Sequence, residues 1–172
     1  MEFDYVIVGG GSAGCVLANR LSADPAVTVC LLEAGGEDRN PWIHVPVGYV
    51  KTMTDPSVNW LFSTEPEAGA SDRRLPIPRG KVLGGSSAIN GMLYVRGQAR
   101  DYDTWSQLGC IGWSFDDVLP YFKKGETCEQ GADDFHGGDG PLNVALPTVR
   151  YPLLDKVVEA GGALGYPTHH DY

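Results

Sequence analysis

Six residues, Gly9-Gly10-Gly11-Ser12-Ala13-Gly14, stand between two apolar segments and restrict what this chain can become. Before them, residues 3–8 (Phe-Asp-Tyr-Val-Ile-Val) form a short β-branched and aromatic run that reads as a buried strand. After them, Ala13, Val16, Leu17, Ala18 and Leu21 recur with helical spacing over 13–23, and Asp24-Pro25 ends the pattern. Residues 27–32 (Val-Thr-Val-Cys-Leu-Leu) read as a second buried strand that runs into Glu33. Strand, glycine turn, helix and strand within about 30 residues is the span of a parallel crossover unit. The chain carries 23 glycines and 12 prolines in 172 residues, a proportion that often signals disorder. Here the glycines cluster between apolar runs, which marks places where the backbone turns hard or lies against something.

The spacing satisfies GxGxxG. Gly9 permits the turn out of the strand, Gly11 lets the backbone approach a pyrophosphate, and Gly14 lets the helix pack close to the sheet. The N–H groups of Ser12, Ala13 and Gly14 then face the phosphates. No Lys-Ser or Lys-Thr follows, which excludes a Walker loop. Glu33 lies 19 residues past Gly14, where a carboxylate accepts hydrogen bonds from an adenosine ribose and repels a 2′-phosphate. The competing reading is a glycine-rich turn with a surface glutamate. Fingerprint and Glu33 alone do not separate NAD from FAD.

A second motif follows a long irregular stretch. Over 36–79, prolines at 41, 46, 56, 66, 76 and 78 break every candidate element, while Trp42, Tyr49, Trp60 and Phe62 are interleaved. Such a stretch wraps over a core and is normally functional. Then comes Gly80-Lys81-Val82-Leu83-Gly84-Gly85-Ser86-Ser87-Ala88-Ile89-Asn90-Gly91. Gly84 and Gly85 remove side chains where backbone must lie against a flat or charged ligand. Ser86 can donate a hydroxyl hydrogen bond to a phosphate, and Asn90 offers both donor and acceptor.

With Tyr94, Gly97 and Asp103, this segment resembles the first signature of the glucose–methanol–choline (GMC) flavin oxidoreductase family. Asp101-Tyr102-Asp103-Thr104-Trp105, Gly112-Trp113-Ser114 and His136-Gly137-Gly138-Asp139-Gly140-Pro141-Leu142 resemble later family segments. The likeness covers the whole chain and is strongest to bacterial choline dehydrogenase-like alcohol dehydrogenases. It implies an α/β, Rossmann-like FAD-binding fold, present here as an incomplete domain. Its parts are a βαβ unit at 3–33, a wrapping loop at 36–79, a flavin-binding segment at 80–103 and a helical and loop region at 104–172.

The resemblance further implies FAD contacts at Gly9, Gly11, Ser12, Ala13, Gly14, Glu33, Ala34, Val82, Gly85, Ser86, Asn90, Gly91, Met92 and Leu93. Glu33-Ala34-Gly35-Gly36 continues as many flavoproteins do, and Asn90 to Leu93 pass beside the isoalloxazine. Asn90 cannot form the covalent His–flavin bond found in some members, so noncovalent FAD is expected. Trp60 matches an aromatic position near the cofactor, with a core anchor as the competing reading. Arg79 and Lys81 are expected to be solvated.

The implied reaction is oxidation of the CH–OH group of a small alcohol by hydride transfer to flavin. In this family the base is a His, paired with His or Asn, toward the end of a chain about three times longer. None of the four histidines here matches that pair, so no catalytic residue is assigned. His44, His136 and His169-His170 read as polar loops, and a metal site is not expected. The 172 residues are therefore expected to be the N-terminal portion of such an enzyme, a truncated product, or a noncatalytic piece completed by another chain. Family relatives with lyase or photochemical activity are further alternatives.

Charge and composition trim the partner list. With 13 Lys and Arg against 22 Asp and Glu, the formal charge is −9, a poor match for nucleic acid or an anionic membrane. No apolar run approaches the roughly 20 residues of a spanning helix. The start, Met1-Glu2-Phe3-Asp4, has no signal-peptide pattern, and the four cysteines form no CxxC pair, so a cytoplasmic setting is expected. Downstream, helices are expected at about 100–108, 114–124 (Ser114 as N-cap) and 152–164, a polar loop at 129–141, and a strand at 142–145.

Overall fold

A computed structural model describes residues 1–147 and 149–168. The chain divides after Leu93 into two compact units, Met1–Leu93 and Tyr94–Tyr172. The segment expected over 80–103 is thereby shared between them.

The first unit begins with β1 (Tyr5–Val8), α1 (Ser12–Leu21) and β2 (Val29–Leu32). β1 and β2 pair in parallel, with Tyr5 opposite Val29 and Val8 opposite Leu32, as a helical crossover requires. The Asp4 carboxylate closes the pair by accepting from the Thr28 N–H at 2.8 Å and the Thr28 hydroxyl at 2.7 Å. Gly14 packs α1 onto the sheet: a Cβ there would collide with the carbonyl oxygen of Gly9. The wider apolar face expected of α1 is not buried in this chain. Gly14 is the one buried residue of the helix, and Val16 and Leu17 are exposed. Val6, Val8 and Leu32 are exposed as well, although parallel sheets bury both faces.

The stretch expected to lack regular structure holds several short elements. Three-residue 3₁₀ turns occupy Pro41–Ile43, Pro46–Gly48 and Ala68–Ala70, each set up by tight local turns rather than by periodicity. A single helical turn, α2 (Tyr49–Thr52), follows the second of them. Two-residue strands β3 (Phe62–Ser63) and β4 (Pro76–Ile77) pair antiparallel, and the ribbon continues through a bridge between Asn59 and Gly80. A small core of Val58, Val82 and Ile89, with Ile43 and Ala88 against it, holds these loops together.

In the second unit, α3 (Ala99–Gln107) and α4 (Phe115–Gly125) are joined by aromatic contacts; Tyr102 lies 5.7 Å from Phe122 and 6.1 Å from Phe115 between ring centroids. α4 starts where expected. Ser114 Oγ accepts from the Asp117 N–H, and the Asp117 carboxylate accepts from the Ser114 N–H. Two strands, β5 (Glu126–Cys128) and β6 (Leu142–Val144), pair in parallel around the polar loop; β5 was not anticipated. α5 (Pro152–Ala163) starts with proline in its first turn.

Candidate cofactor site

In the first unit the two glycine motifs meet. The Gly84 N–H donates to the carbonyl of Gly10 at 2.7 Å. Gly85, at φ +58°, lies so close that a Cβ on it would sit 2.8 Å from the Cα of Gly11. Gly85 thus has no room for a side chain beside the other glycine loop, a constraint that operates alongside any ligand, and it also lines the cleft at this junction. A Cβ built on Gly11 would meet only the Gly85 Cα, at 3.9 Å, so the rest of the space beside that position is open.

Around this junction lies a cleft of about 630 Å³. Gly9, Gly11, Glu33, Ala34, Trp60, Gly85 and Ser86 line it, together with Val8, Leu32, Phe62, Arg79 and Gly80. Seven residues singled out from sequence are thus brought to one place. Ser12, Ala13 and Gly14 form the first turn of α1 at its edge. No side chain caps that helix and no acid sits in its first turn, so its N–H groups remain suited to an anion.

Glu33 is already engaged. Its carboxylate accepts from the Gly10 N–H at 2.6 Å and the Gly35 N–H at 2.8 Å, tying the fingerprint to the turn after β2. A carboxylate has about four lone-pair directions, so two remain. Ser86 Oγ accepts from the Gly80 N–H at 3.1 Å, which leaves its hydroxyl proton to donate elsewhere. Trp60 is exposed in the cleft wall rather than buried as an anchor, and stacks on Phe62 with centroids 5.8 Å apart and planes 4° apart. Lys81 is not merely solvated: its Nζ stands 4.8 Å from the Trp60 ring centroid. Arg79 lines the cleft and donates to the carbonyl of its neighbour Pro78.

The other expected residues lie elsewhere. The Val82 side chain is buried in the core with Val58 and Ile89 and does not line the cleft, because the chain must anchor there between the two loops. Asn90 and Met92 border a second, smaller cavity of about 120 Å³ with Trp42, Tyr49 and Ser87. Asn90 Oδ1 accepts from the Met92 N–H at 2.9 Å. Gly91 and Leu93 are exposed and line neither cavity.

The second unit contains a charged cluster that sequence reading missed. Glu126 is fully buried; Arg96 forms an ion pair with its Oε1 at 2.6 Å, and the same oxygen accepts from the Gly137 N–H at 2.9 Å. His136 Nδ1 lies 3.0 Å from that oxygen, so His136 is not a free polar loop residue. Burial pushes the Glu126 carboxyl up, but Arg96, the Gly137 N–H and His136 outweigh it and hold it below the ordinary value. His44 is exposed, with Nε2 2.6 Å from the Asp38 carbonyl. His169 and His170 lie outside the described residues. Among the described residues no group of three or more His, Cys, Asp or Glu side chains is placed to hold a metal ion.

Fold and cleft together define a dinucleotide-binding βαβ protein. The model of the GMC oxidoreductase family matches residues 3–172, and the chain belongs to that family. It is 49% identical over its whole length to an oxygen-dependent choline dehydrogenase of Sinorhizobium fredii, and 49% identical over 99% of its length to one of Photobacterium profundum. Among solved structures, pyridoxine 4-oxidase from Mesorbium loti superposes with a TM-score of 0.89 at 41% identity over 96% of the chain. The chain spans 31%, 30% and 33% of these three proteins' own lengths.

Proposed function

We propose that this chain supplies the FAD-binding part of an oxidoreductase that acts on the CH–OH group of a small alcohol. The observation that carries this reading is the single cleft in which the fingerprint turn, Glu33 and the Gly85-Ser86 loop converge. The residues fit the group. Space is open beside Gly11, the Ser86 hydroxyl proton is unspent, two lone-pair directions of Glu33 remain, and the α1 terminus is uncapped.

Bound FAD supplies an acceptor for the hydride of the alcohol carbon. The residues of this chain bind and orient. The first turn of α1 and Ser86 hold the pyrophosphate, and Glu33 holds the ribose while bracing Gly10 and Gly35. Arg79 adds positive charge at the cleft wall, and Trp60 and Phe62 keep that wall apolar. Among the described residues no histidine lines either cavity, and Asn90 cannot bond covalently to flavin, which supports noncovalent FAD. The described histidines are engaged with Asp38 and Glu126, and none is assigned as the catalytic base.

The names of the relatives support an alcohol substrate: choline for the dehydrogenases and pyridoxine for the solved oxidase. A substrate end of the cofactor beside Asn90 is supported by the second cavity, which Trp42 and Tyr49 also line. The uncovered apolar residues of β1 and β2 favour further polypeptide over that sheet, in the same chain or a separate one. Purification of the intact protein and its visible spectrum test the proposal. Flavin bands, bleached on addition of an alcohol, support it; their absence after FAD addition refutes it.

A further inference from the structure

We infer that Asn59 is a positioning residue that sets the aromatic wall of the cofactor cleft by holding Leu61 in a left-handed conformation. The inference rests on the FAD reading of that cleft. Leu61 has φ +54°, an outlier for a bulky residue, and it stands between the two stacked rings of Trp60 and Phe62. Strain of this kind persists only where neighbours impose it, and it gathers at ligand clamps.

The neighbour is visible. Asn59 is buried, and its amide uses its full hydrogen-bonding capacity on main chain. Nδ2 donates to the carbonyls of Thr52 at 3.2 Å and Met53 at 2.9 Å. Oδ1 accepts from the N–H of Leu61 at 2.9 Å and of Arg79 at 3.1 Å. One side chain thus joins three stretches: the end of α2, the wall, and the strand opposite.

The ribbon itself does not supply this support. Continuing the register of Phe62 with Ile77 and Asn59 with Gly80 sets Leu61 opposite Pro78. The Trp60 N–H bonds across the ribbon to the Arg79 carbonyl, so Leu61 and Pro78 form a non-bonded pair and the Leu61 N–H faces away from the opposite strand, where Asn59 Oδ1 accepts it. Trp60 remains pinned by its N–H to the Arg79 carbonyl at 2.9 Å, and Lys81 by its N–H to the Val58 carbonyl at 2.8 Å. Between these ladder bonds Asn59 fixes the main chain at Leu61 and Arg79, and so the step from Trp60 to the ring stacked on it.

The test uses the intact protein, FAD titration, and the share of tryptophan emission assigned to Trp60 with a Trp60→Phe control. Asn59→Ala is expected to weaken FAD binding by about tenfold and to cut the quenching of Trp60 by FAD. Leu61→Gly adopts the left-handed conformation freely and is expected to keep both near wild type, whereas Leu61→Val is expected to behave like Asn59→Ala.

Asn59→Asp gives a signature that a purely structural role lacks. Its buried carboxylate faces two carbonyls, and protonation restores one donor. Its FAD affinity relative to wild type should therefore recover as pH falls from about 8 to about 5.5. Unchanged FAD affinity and Trp60 quenching in Asn59→Ala, with lowered thermal stability, would overturn the inference. So would equal loss in Leu61→Gly and Leu61→Val. If wild type itself binds no FAD, the functional proposal fails instead.

Discussion

Glu33 holds two backbone N–H groups and, on the functional reading, a ribose as well; these roles separate experimentally. Glu33→Gln keeps one acceptor oxygen but turns an NH₂ toward the second N–H, donor against donor, where the distances are now 2.6 and 2.8 Å. A hydrogen bond to a charged acceptor is worth about 1.5–3 kcal/mol, so stability should fall by about that amount. Glu33→Ala removes both bonds. Two of them set an upper bound of about 6 kcal/mol, and water entering this half-buried site brings the expected loss to about 3 kcal/mol. Ribose contact adds its own share. Losing about 1.5–3 kcal/mol there weakens FAD binding roughly ten- to 150-fold.

Urea unfolding of the apoprotein, followed by circular dichroism, reads the first quantity; FAD titration by flavin fluorescence reads the second. Both should drop in both variants. A Gln variant with an unchanged urea midpoint would refute the bracing role. Lost stability with unchanged FAD affinity would refute the ribose contact.

Three further outcomes are expected. Gly14→Ala drives a methyl group into the Gly9 carbonyl and should cost about 3 kcal/mol or more, seen as a lowered Tm and lost FAD. Ser86→Ala orphans the exposed Gly80 N–H and removes the phosphate donor; calorimetry should show about 1 kcal/mol weaker FAD binding and little change in Tm. Glu126 is held below its ordinary value of 4.5, so its contribution to stability is complete above that value and drains as pH falls through the lowered one. Thermal melts of Glu126→Gln should accordingly show a shallower acid limb than wild type below about pH 4.5, the rest coming from other carboxylates held low, such as Asp4 and Asp133.

The crossover unit was legible because its signals are local. The strand expected at 3–8 is Tyr5–Val8, the helix at 13–23 is Ser12–Leu21, and the strand at 27–32 is Val29–Leu32. Apolar runs, glycines and Asp24-Pro25 mark those limits without help from the rest of the chain. α4 was legible for the same reason, through Ser114 and Asp117. The ribbon in 36–79 was not, because β3 and β4 are two residues each and are aligned by the side chain of Asn59 rather than by pattern.

The Glu126 cluster was hidden for a different reason. A lone glutamate reads as surface, and its partners Arg96 and His136 lie 30 residues before and 10 after it. The core role of Val82 was hidden in the same way, because the glycine motif around it drew attention to the ligand, whereas an apolar side chain among glycines anchors the loop.

The bare backbone contact between Gly11 and Gly85 carries an evolutionary consequence. Most pairs of touching residues can drift together, one growing as the other shrinks. Any Cβ on Gly85 would sit 2.8 Å from the Gly11 Cα, and Gly11 has no side chain to give up, so no change at Gly11 can make room for one at Gly85. Position 85 should therefore stay frozen in descendants of this chain, whereas a Cβ at Gly11 would meet Gly85 only at an ordinary 3.9 Å.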